Sequence, residues 1–253
     1  MFIYRCLLEL KEATFFASRE VNALFQTEAV VGNYALTYAL GFCHAPYHVE
    51  GGPRYEEDLK AVAEREIYVT PATLEDPFRY TFAQFNGLSE GYFSAMGNNA
   101  LVAPGTGQWA ERDGNHWYIR GEDNSRKRVA PANFPQIGRV RLLAAENRAI
   151  FHVFSAQPLS LPSYIRLGKF MSKARVTAVD VPWRRVDEQE QTVHDYLNPT
   201  DLARETSLRV YDVLSVRPAP LIRNAAISGP LYCIESAKDL YYLPAGMRYL
   251  SRL

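Results

Sequence analysis

Histidine side chains are the groups in this sequence best suited to metal binding and to acid–base chemistry. His44 and His48 stand four residues apart, but Pro46 lies between them, so a helix cannot present both imidazoles to one metal ion. The other histidines are far apart in the sequence, and only the fold could bring them together. We therefore predict no metal site. These remaining histidines are His116, His152 and His194.

Ribonuclease chemistry without a metal is the enzymatic alternative that the sequence leaves open. Such a reaction needs only a general base and a nearby cation. Nothing in the spacing of the residues selects a particular pair, so RNA cleavage stays an alternative hypothesis. The available bases are His44, Tyr47 and His48, and the available cations are Lys169 and Lys173.

Other motifs for catalysis or cofactor binding are missing from the sequence. Gly105-Thr106-Gly107 lacks the rest of a phosphate-binding loop, and no G-x-S-x-G motif is present. The three cysteines are widely spaced and indicate a reducing compartment. We predict no catalytic residue and no cofactor. An enzyme acting on a small molecule is a further alternative, and it would require a deep pocket and no affinity for RNA.

Positive charge is concentrated in one short segment. Six basic residues lie between positions 166 and 185, against a single acid, Asp180. Tyr164, Phe170 and Met171 are interleaved with them, and RNA-binding proteins combine cations for phosphates with flat side chains for unstacked bases. We predict that this segment contacts RNA. The four cations chosen as phosphate contacts are Arg166, Lys169, Lys173 and Arg175.

The neutral net charge of the chain conceals this segregation. Lysine plus arginine equal aspartate plus glutamate at 28 each, whereas residues 50–90 carry nine acids against four bases. A net charge of zero counts against a free-standing DNA-binding protein, but it is compatible with a subunit that turns one basic face toward a polyanion. The acidic region is a candidate protein–protein surface or a plain solvated helix. A second basic cluster, Arg126-Lys127-Arg128, is a further candidate for nucleic-acid contact.

The hydrophobic pattern predicts an α+β fold with a mainly antiparallel sheet. Alternation over residues 4–10 predicts a first strand, and helical spacing predicts helices over 27–41, with Thr27 as cap and Gly41 as stop, and over 55–66. The acidic segment 187–197 is predicted to be helical. A βαββαβ, ferredoxin-like order is one arrangement that fits.

Short strands fill much of the rest of the chain. Two hairpins are predicted, one joining 139–143 to 150–154 and one joining 164–170 to 175–181. Further strands are predicted at 67–69, 78–85, 116–119, 208–216 and 231–234. Residues 87–135 are rich in Gly, Asn and Pro and are predicted to be a thumb or loop insertion in one domain spanning 1–253.

Several segments together resemble the CRISPR-associated Cas-five family, of the RAMP superfamily. The opening strand, the Phe16-Ala17-Ser18-Arg19-Glu20 turn and the Gly-containing helix entry at 27–36 resemble the family's first elements, and 163–176 resembles its R-L-G strand pair. Three further segments resemble the subtype I-D version of this subunit. They are 33–41, 67–72 and 218–222. The chain departs from many RAMP proteins in lacking a Gly-rich C-terminal loop.

The resemblance implies a RAMP-type, RRM-like ferredoxin core with a thumb. It implies a non-catalytic subunit of a type I-D interference (Cascade) complex in antiviral defence, which binds the five-prime handle of the guide RNA and contacts the backbone and large subunits. A separate ribonuclease cuts the guide precursor in this subtype, although one relative in another subtype cuts RNA. We also assign Arg19 and Tyr34 to the RNA groove, with core packing as the alternative role for Tyr34.

The expected location is the cytoplasm. The sequence begins without the basic leader and apolar stretch of a signal peptide, and no apolar run has the length of a membrane span. We therefore predict no membrane contact.

Overall fold

The structure is a computed structural model that describes residues 1–21, 24–43, 54–86, 108–114, 116–129, 137–235 and 240–252. The chain divides into two compact units. Unit 1 comprises Met1–Arg19, Gln26–Thr81 and Leu142–Leu253, and unit 2 comprises Glu20–Phe25 and Phe82–Arg141. The prediction of a single domain stays a prediction. In the part of the chain that is described, no helix is long and apolar enough to cross a membrane.

Twenty strands and two α-helices make up the described structure. The helices are α1 (Asn33–Ala39) and α2 (Tyr55–Glu64). The strands are β1 (Phe2–Leu10), β2 (Arg19–Val21), β3 (Leu24–Gln26), β4 (Val30–Val31), β5 (Ile67–Val69), β6 (Ala72–Leu74), β7 (Tyr80–Asn86), β8 (Gln108–Asp113), β9 (His116–Gly121), β10 (Arg126–Val129), β11 (Ile137–Leu143), β12 (Arg148–Ser155), β13 (Tyr164–Leu167), β14 (Ser172–Asp180), β15 (Trp183–Val193), β16 (Ser207–Leu208), β17 (Asp212–Leu214), β18 (Leu221–Arg223), β19 (Ala225–Glu235) and β20 (Leu240–Pro244).

The central sheet of unit 1 has the order β13-β14-β1-β12-β6-β4, and β5 also pairs with β12. Its neighbouring strands pair antiparallel, and β1 lies between β12 and β14. A second sheet has the order β15-β19-β16, with β20 on β19. Side chains of both sheets and both helices share one hydrophobic core. The predicted α+β class with a mainly antiparallel sheet is confirmed.

The ferredoxin-like order is not confirmed. Both helices lie consecutively between β4 and β5, and residues 156–163, between β12 and β13, are bends and irregular chain. A βαββαβ order would place its second helix at that later position.

Unit 2 contains most of the residues of two smaller sheets. One has the order β2-β3-β11-β7 and the other has the order β10-β9-β8. The described part of the predicted insertion at 87–135 is this three-stranded β8–β10 sheet, and positions 87–107, 115 and 130–135 lie outside the described residues. The thumb assignment stays a prediction.

The predicted helix over 187–197 is wrong, because most of this segment belongs to strand β15. Nine residues of β15 pair with β19, with a β-bulge between Val186 and Gln189. The acidic and polar side chains are tolerated because much of this strand is exposed to solvent.

The predicted hairpin joining 139–143 to 150–154 is also wrong. A turn does lie there, with Glu146 at φ 68°. However, β11 pairs with β3 and β7, whereas β12 joins the central sheet. The turn therefore passes the chain from one sheet to another instead of closing a pair of strands.

The first predicted helix begins six residues later than expected. Gly32 is its N-cap, and β4 occupies part of the predicted helix. Thr27 does not cap it, because its hydroxyl hydrogen-bonds the backbone N–H and carbonyl of Phe16 at 3.0 and 2.9 Å. The predicted stop at Gly41 is confirmed, since this glycine adopts φ +80° directly after the C-cap.

A buried histidine joins the central sheet of unit 1 to the β15-β19-β16 sheet. His152 on β12 is 2% exposed, and its Nε2 lies 2.8 Å from the hydroxyl of Tyr241 on β20. Burial, reinforced by the charge of Arg5, lowers the pKa of His152 from 6.5 to about 3. This imidazole is therefore neutral in the folded protein at neutral pH.

We expect this histidine to make the protein sensitive to acid. The His152 side chain binds a proton near pH 6.5 in the unfolded chain but only near pH 3 in the folded chain. The free energy of unfolding is therefore highest above pH 6.5 and decreases as the pH falls from 6.5 towards 3. The loss amounts to at most about 1.4 kcal/mol per pH unit. The substitution His152→Gln removes this pH dependence. Urea unfolding of the wild type and the variant from pH 7 to 5 measures how far their free energies of unfolding diverge. Equal pH slopes for the two proteins would show that His152 titrates normally.

Candidate nucleic-acid interface

The predicted hairpin at residues 164–181 is present and displays cations on one face. Strands β13 and β14 pair antiparallel, with Tyr164 opposite Arg175 and Arg166 opposite Lys173. These four side chains are exposed, whereas the residues that alternate with them, Ile165, Leu167, Ala174 and Val176, are buried. Because strand side chains alternate between faces, one face enters the core and the other carries three charges around a tyrosine. We call residues 164–175 the basic hairpin.

The turn of the basic hairpin is held against the chain that follows β1. Gly168 has φ +70°, and a Cβ there would overlap the carbonyl oxygen of Phe15. The backbone N–H of Lys169 donates to that same oxygen at 2.9 Å. Phe170 stacks on the buried ring of Phe15 with centroids 5.1 Å apart. The turn therefore tolerates only glycine at position 168, and the hairpin is held in a defined position.

The cations of the basic hairpin are only partly compensated. Arg166 lies 3.7 Å from the carboxylate of Glu12, which also accepts a hydrogen bond from the Lys173 backbone N–H at 2.8 Å. The ammonium of Lys173 lies 4.4 Å from the centroid of the Tyr164 ring. Among the residues that are described, Lys169, Lys173 and Arg175 form no direct ion pair. Arg175 nevertheless stands opposite Glu9 of β1 and, after the hydrogen bond from Lys11, helps to lower the pKa of that carboxyl. The charges of the two lysines are therefore the most available to a polyanion.

Helix α1 and the basic hairpin line two adjoining depressions of unit 1. The first turn of α1, with Tyr34 and Ala35, lines a cleft of about 440 Å³ together with Lys169. The next turn, with Tyr38 and Ala39, lines a depression of about 450 Å³ that Tyr164, Arg166 and Lys173 share. We call these two depressions together the hairpin groove. Cations lie on its strand side and tyrosines on its helix side.

Hydrogen bonding fixes the tyrosines on the helix side. Tyr38 donates to the Asp58 carboxylate at 2.6 Å, and Tyr55 packs between the Tyr34 and Tyr38 rings at 5.5 and 6.0 Å. Burial raises the pKa of Tyr34 to about 12 and also raises the pKa values of Tyr38 and Tyr55. These phenols therefore remain protonated at neutral pH and act as donors and flat surfaces, not as bases.

Of the other predicted RNA contacts of unit 1, Tyr34 lines the cleft and Arg19 does not, and both are already engaged. Arg19 follows the cleft-lining Ser18, and its guanidinium lies 3.4 Å from Glu28. Tyr34 is only 5% exposed, and its hydroxyl lies 3.4 Å from an Asp201 oxygen. Core packing, the alternative role for Tyr34, agrees with this environment, while a role of either residue in RNA binding stays a prediction.

The predicted cluster at 126–128 lies on β10 in unit 2. Arg126 lies 2.6 Å from Asp113 and 3.8 Å from the Tyr118 centroid. Arg128 lies 2.9 Å from the His116 ring. Lys127 is exposed and points to the opposite face of the strand. Two of the three side chains are thus held by local contacts, and nucleic-acid binding by Arg126, Lys127 and Arg128 stays a prediction.

The residues proposed for ribonuclease chemistry are only partly covered by the structure. His44, Tyr47 and His48 lie outside the described residues, whereas Lys169 and Lys173 are placed in the hairpin groove. Within the described ranges, no group of three or more His, Cys, Asp or Glu side chains could hold a metal ion.

Four groups at this site are missed by reasoning from the sequence. Glu12, Tyr38, Tyr55 and Arg217 reach the hairpin or line its groove. The i, i+4 spacing of Tyr34 and Tyr38 could have indicated a shared helix face. No local signal in the sequence could have placed Arg217 beside the turn of a hairpin nearly fifty residues away.

The described chain is thus an α+β protein with an exposed antiparallel hairpin, whose cations lie opposite tyrosines of α1 and α2. Proteins that bind single-stranded nucleic acid combine these two kinds of side chain. A comparison with protein families identifies the group. Residues 1–252 match the family model described as type I-D CRISPR-associated protein Cas5/Csc1, and the chain belongs to this family. No curated protein matches the chain. The family resemblance predicted from the sequence is confirmed, and it is consistent with a component of a CRISPR effector complex.

Proposed function

We propose that this chain holds the five-prime handle of the guide RNA in a type I-D CRISPR effector complex, without cutting it. The observation that carries the proposal is the basic hairpin, where Lys169, Lys173 and Arg175 form no direct ion pair among the described residues. Lys173 lies over the Tyr164 ring, and Arg175 stands opposite Tyr164 in the strand pair. Phosphates of an unstacked strand need such cations, and its bases need such a flat side chain. Membership of a CRISPR-associated family supports the choice of guide RNA as the ligand in this proposal.

Within this proposal, the chain caps a filament of backbone subunits and contacts the large subunit. The RAMP-type, ferredoxin-like core belongs to the same proposal, as does a cytoplasmic location. Helix α2 offers one candidate protein contact, since it begins with three acids in its first turn, Glu56, Glu57 and Asp58. Arg126, Lys127 and Arg128 are proposed to contact guide RNA or target DNA beside its flanking motif.

The chemistry of the hairpin groove supports a non-catalytic role. Metal-independent RNA cleavage requires a group that takes the proton of a 2′-hydroxyl, and a base works best when its pKa lies near the working pH. On the helix side of the groove, burial raises the pKa values of Tyr34, Tyr38 and Tyr55, so these phenols hold their protons at neutral pH. Lysines alone can bind phosphate but are poor bases while charged.

The test is binding of a labelled RNA that carries the repeat-derived handle, over a series of salt concentrations, with a parallel gel for cleavage. We expect salt-dependent binding and intact RNA, because counterion release makes phosphate contacts weaken as salt rises. Cleaved RNA would support the processing ribonuclease instead. Absence of binding, repeated with the backbone subunit present, would refute the proposed function.

A further inference from the structure

The cleft at one end of the hairpin groove has a shape and lining that the phosphate contacts do not explain. Its volume of about 440 Å³ falls in the range of roughly 300–1,000 Å³ typical of small-ligand sites. The walls are mainly apolar, and they come from several separate segments of unit 1. They include Phe16, Gly32, Tyr34, Tyr55 and Pro218.

Two cations line this apolar cleft. Lys169 comes from the turn of the basic hairpin, and Arg217 comes from the segment between β17 and β18. Arg217 is exposed, and in the described part of the chain neither side chain has an ion-pair partner. A cleft with apolar walls and unpaired cations matches a ligand that is flat and apolar at its centre and anionic at its ends.

We propose that this cleft receives one unstacked nucleobase of the guide-RNA handle, with the flanking phosphates on Lys169 and Arg217. The inference rests on the proposed function, because the basic hairpin must first hold the strand. Lys169 belongs to the basic hairpin and also lines the cleft, so an RNA strand bound along the hairpin passes the cleft at this residue. RNA-binding proteins commonly insert an unstacked base against aromatic rings, and such stacking does not depend on a catalytic group.

Gly32 provides a way to close the cleft without disturbing the fold. It lines the cleft, and a Cβ built on it meets no atom within 4 Å. Its backbone is extended, with φ −61° and ψ 143°, which every residue type can adopt. The substitution Gly32→Leu therefore places a side chain in the space assigned to the base.

The test combines Gly32→Leu with a series of handle RNAs that each lack one base. We expect one abasic position to weaken binding to the wild type by about tenfold, in line with the loss of one base stack. Gly32→Leu should weaken binding of the intact RNA to a similar extent. The variant and the wild type should then bind that one abasic RNA equally, because the base that the introduced side chain would exclude is already absent.

The control is the thermal unfolding midpoint, which should be the same for Gly32→Leu and the wild type. Equal binding of intact RNA by both proteins would overturn the inference, as would a loss that is the same for every abasic RNA. These results leave the proposed function standing if the wild type still binds the handle. If the wild type binds no handle RNA even with the backbone subunit present, the proposed function fails first.

Discussion

Replacing Asp201 by alanine should lower the free energy of unfolding by about 3 kcal/mol or more, since several buried donors would lose their acceptor at once. Asp201 is fully buried in the 3₁₀ turn Pro199–Asp201. One carboxylate oxygen accepts from Asn33 Nδ2 at 2.7 Å and from the Tyr68 hydroxyl at 3.3 Å. The other accepts from the Leu250 backbone N–H at 2.9 Å.

This carboxylate joins three parts of unit 1 that are distant in the sequence. Its donors belong to α1, to β5 and to the C-terminal segment, so the same group fixes the helix that lines the hairpin groove. Burial raises the pKa of Asp201 to about 6, while these hydrogen bonds oppose the rise. At neutral pH the group is therefore mainly ionised and depends on its donors.

Urea unfolding at pH 7.5 measures the effect, with Glu205→Ala as a control at an exposed acid nearby. We expect the control to change stability by less than about 0.5 kcal/mol. The variant Asp201→Asn separates two effects on stability, the hydrogen bonds that the carboxylate accepts and the cost of burying its charge. Either orientation of the amide places its NH₂ against a donor, so this variant should also be destabilised. A stabilised Asn variant would show that the buried charge, not the network, dominates.

Neutralising the basic hairpin should weaken handle binding by about ten- to hundredfold near physiological salt. The triple variant Arg166→Gln, Lys173→Gln and Arg175→Gln removes three cations from one exposed sheet face. For single-stranded nucleic acid, each lost phosphate contact reduces the slope of log affinity against log salt by about 0.7, so the slope should fall by about 2. Binding titrations at four or more salt concentrations give both quantities.

Two matched variants test whether the position of the charge matters. The triple variant Lys60→Gln, Arg204→Gln and Arg248→Gln changes the net charge equally at exposed residues outside the hairpin, and we expect it to leave the salt slope nearly unchanged. Glu12→Gln should act in the opposite direction. It removes the anion 3.7 Å from Arg166 but keeps an acceptor for the Lys173 N–H, so handle binding should tighten. Equal losses in both triple variants would contradict the assignment of the hairpin.

Local patterns in the sequence are sufficient to predict the elements that carry the cations. The first strand, the strand at 67–69, helix α2 and the β13–β14 hairpin can be predicted because short-range alternation and turn residues determine them. The cations of the hairpin and its tyrosine lie close together in the sequence. Grouping them as one candidate site therefore requires no knowledge of a distant contact.

The remaining features depend on contacts between distant segments. Residues 189–193 are a strand only because they pair with 225–229, more than thirty positions later. Residues 139–143 and 150–154 look like a local hairpin, but each segment has partners elsewhere in the chain. The Asp201 network and the position of Arg217 at the cleft likewise arise from tertiary packing, which local periodicity does not encode.

Photocrosslinking, which locates the bound RNA on the protein, tests most directly whether the basic hairpin holds the handle. A handle RNA with 4-thiouridine substituted singly at each uridine would be bound to the chain together with the backbone subunit, irradiated and analysed by mass spectrometry of the crosslinked peptides. We expect crosslinks in the basic hairpin, above all at Tyr164, and at Tyr55 beside the cleft. Crosslinks confined to other segments of unit 1 or to unit 2 would contradict the claim that the basic hairpin holds the handle.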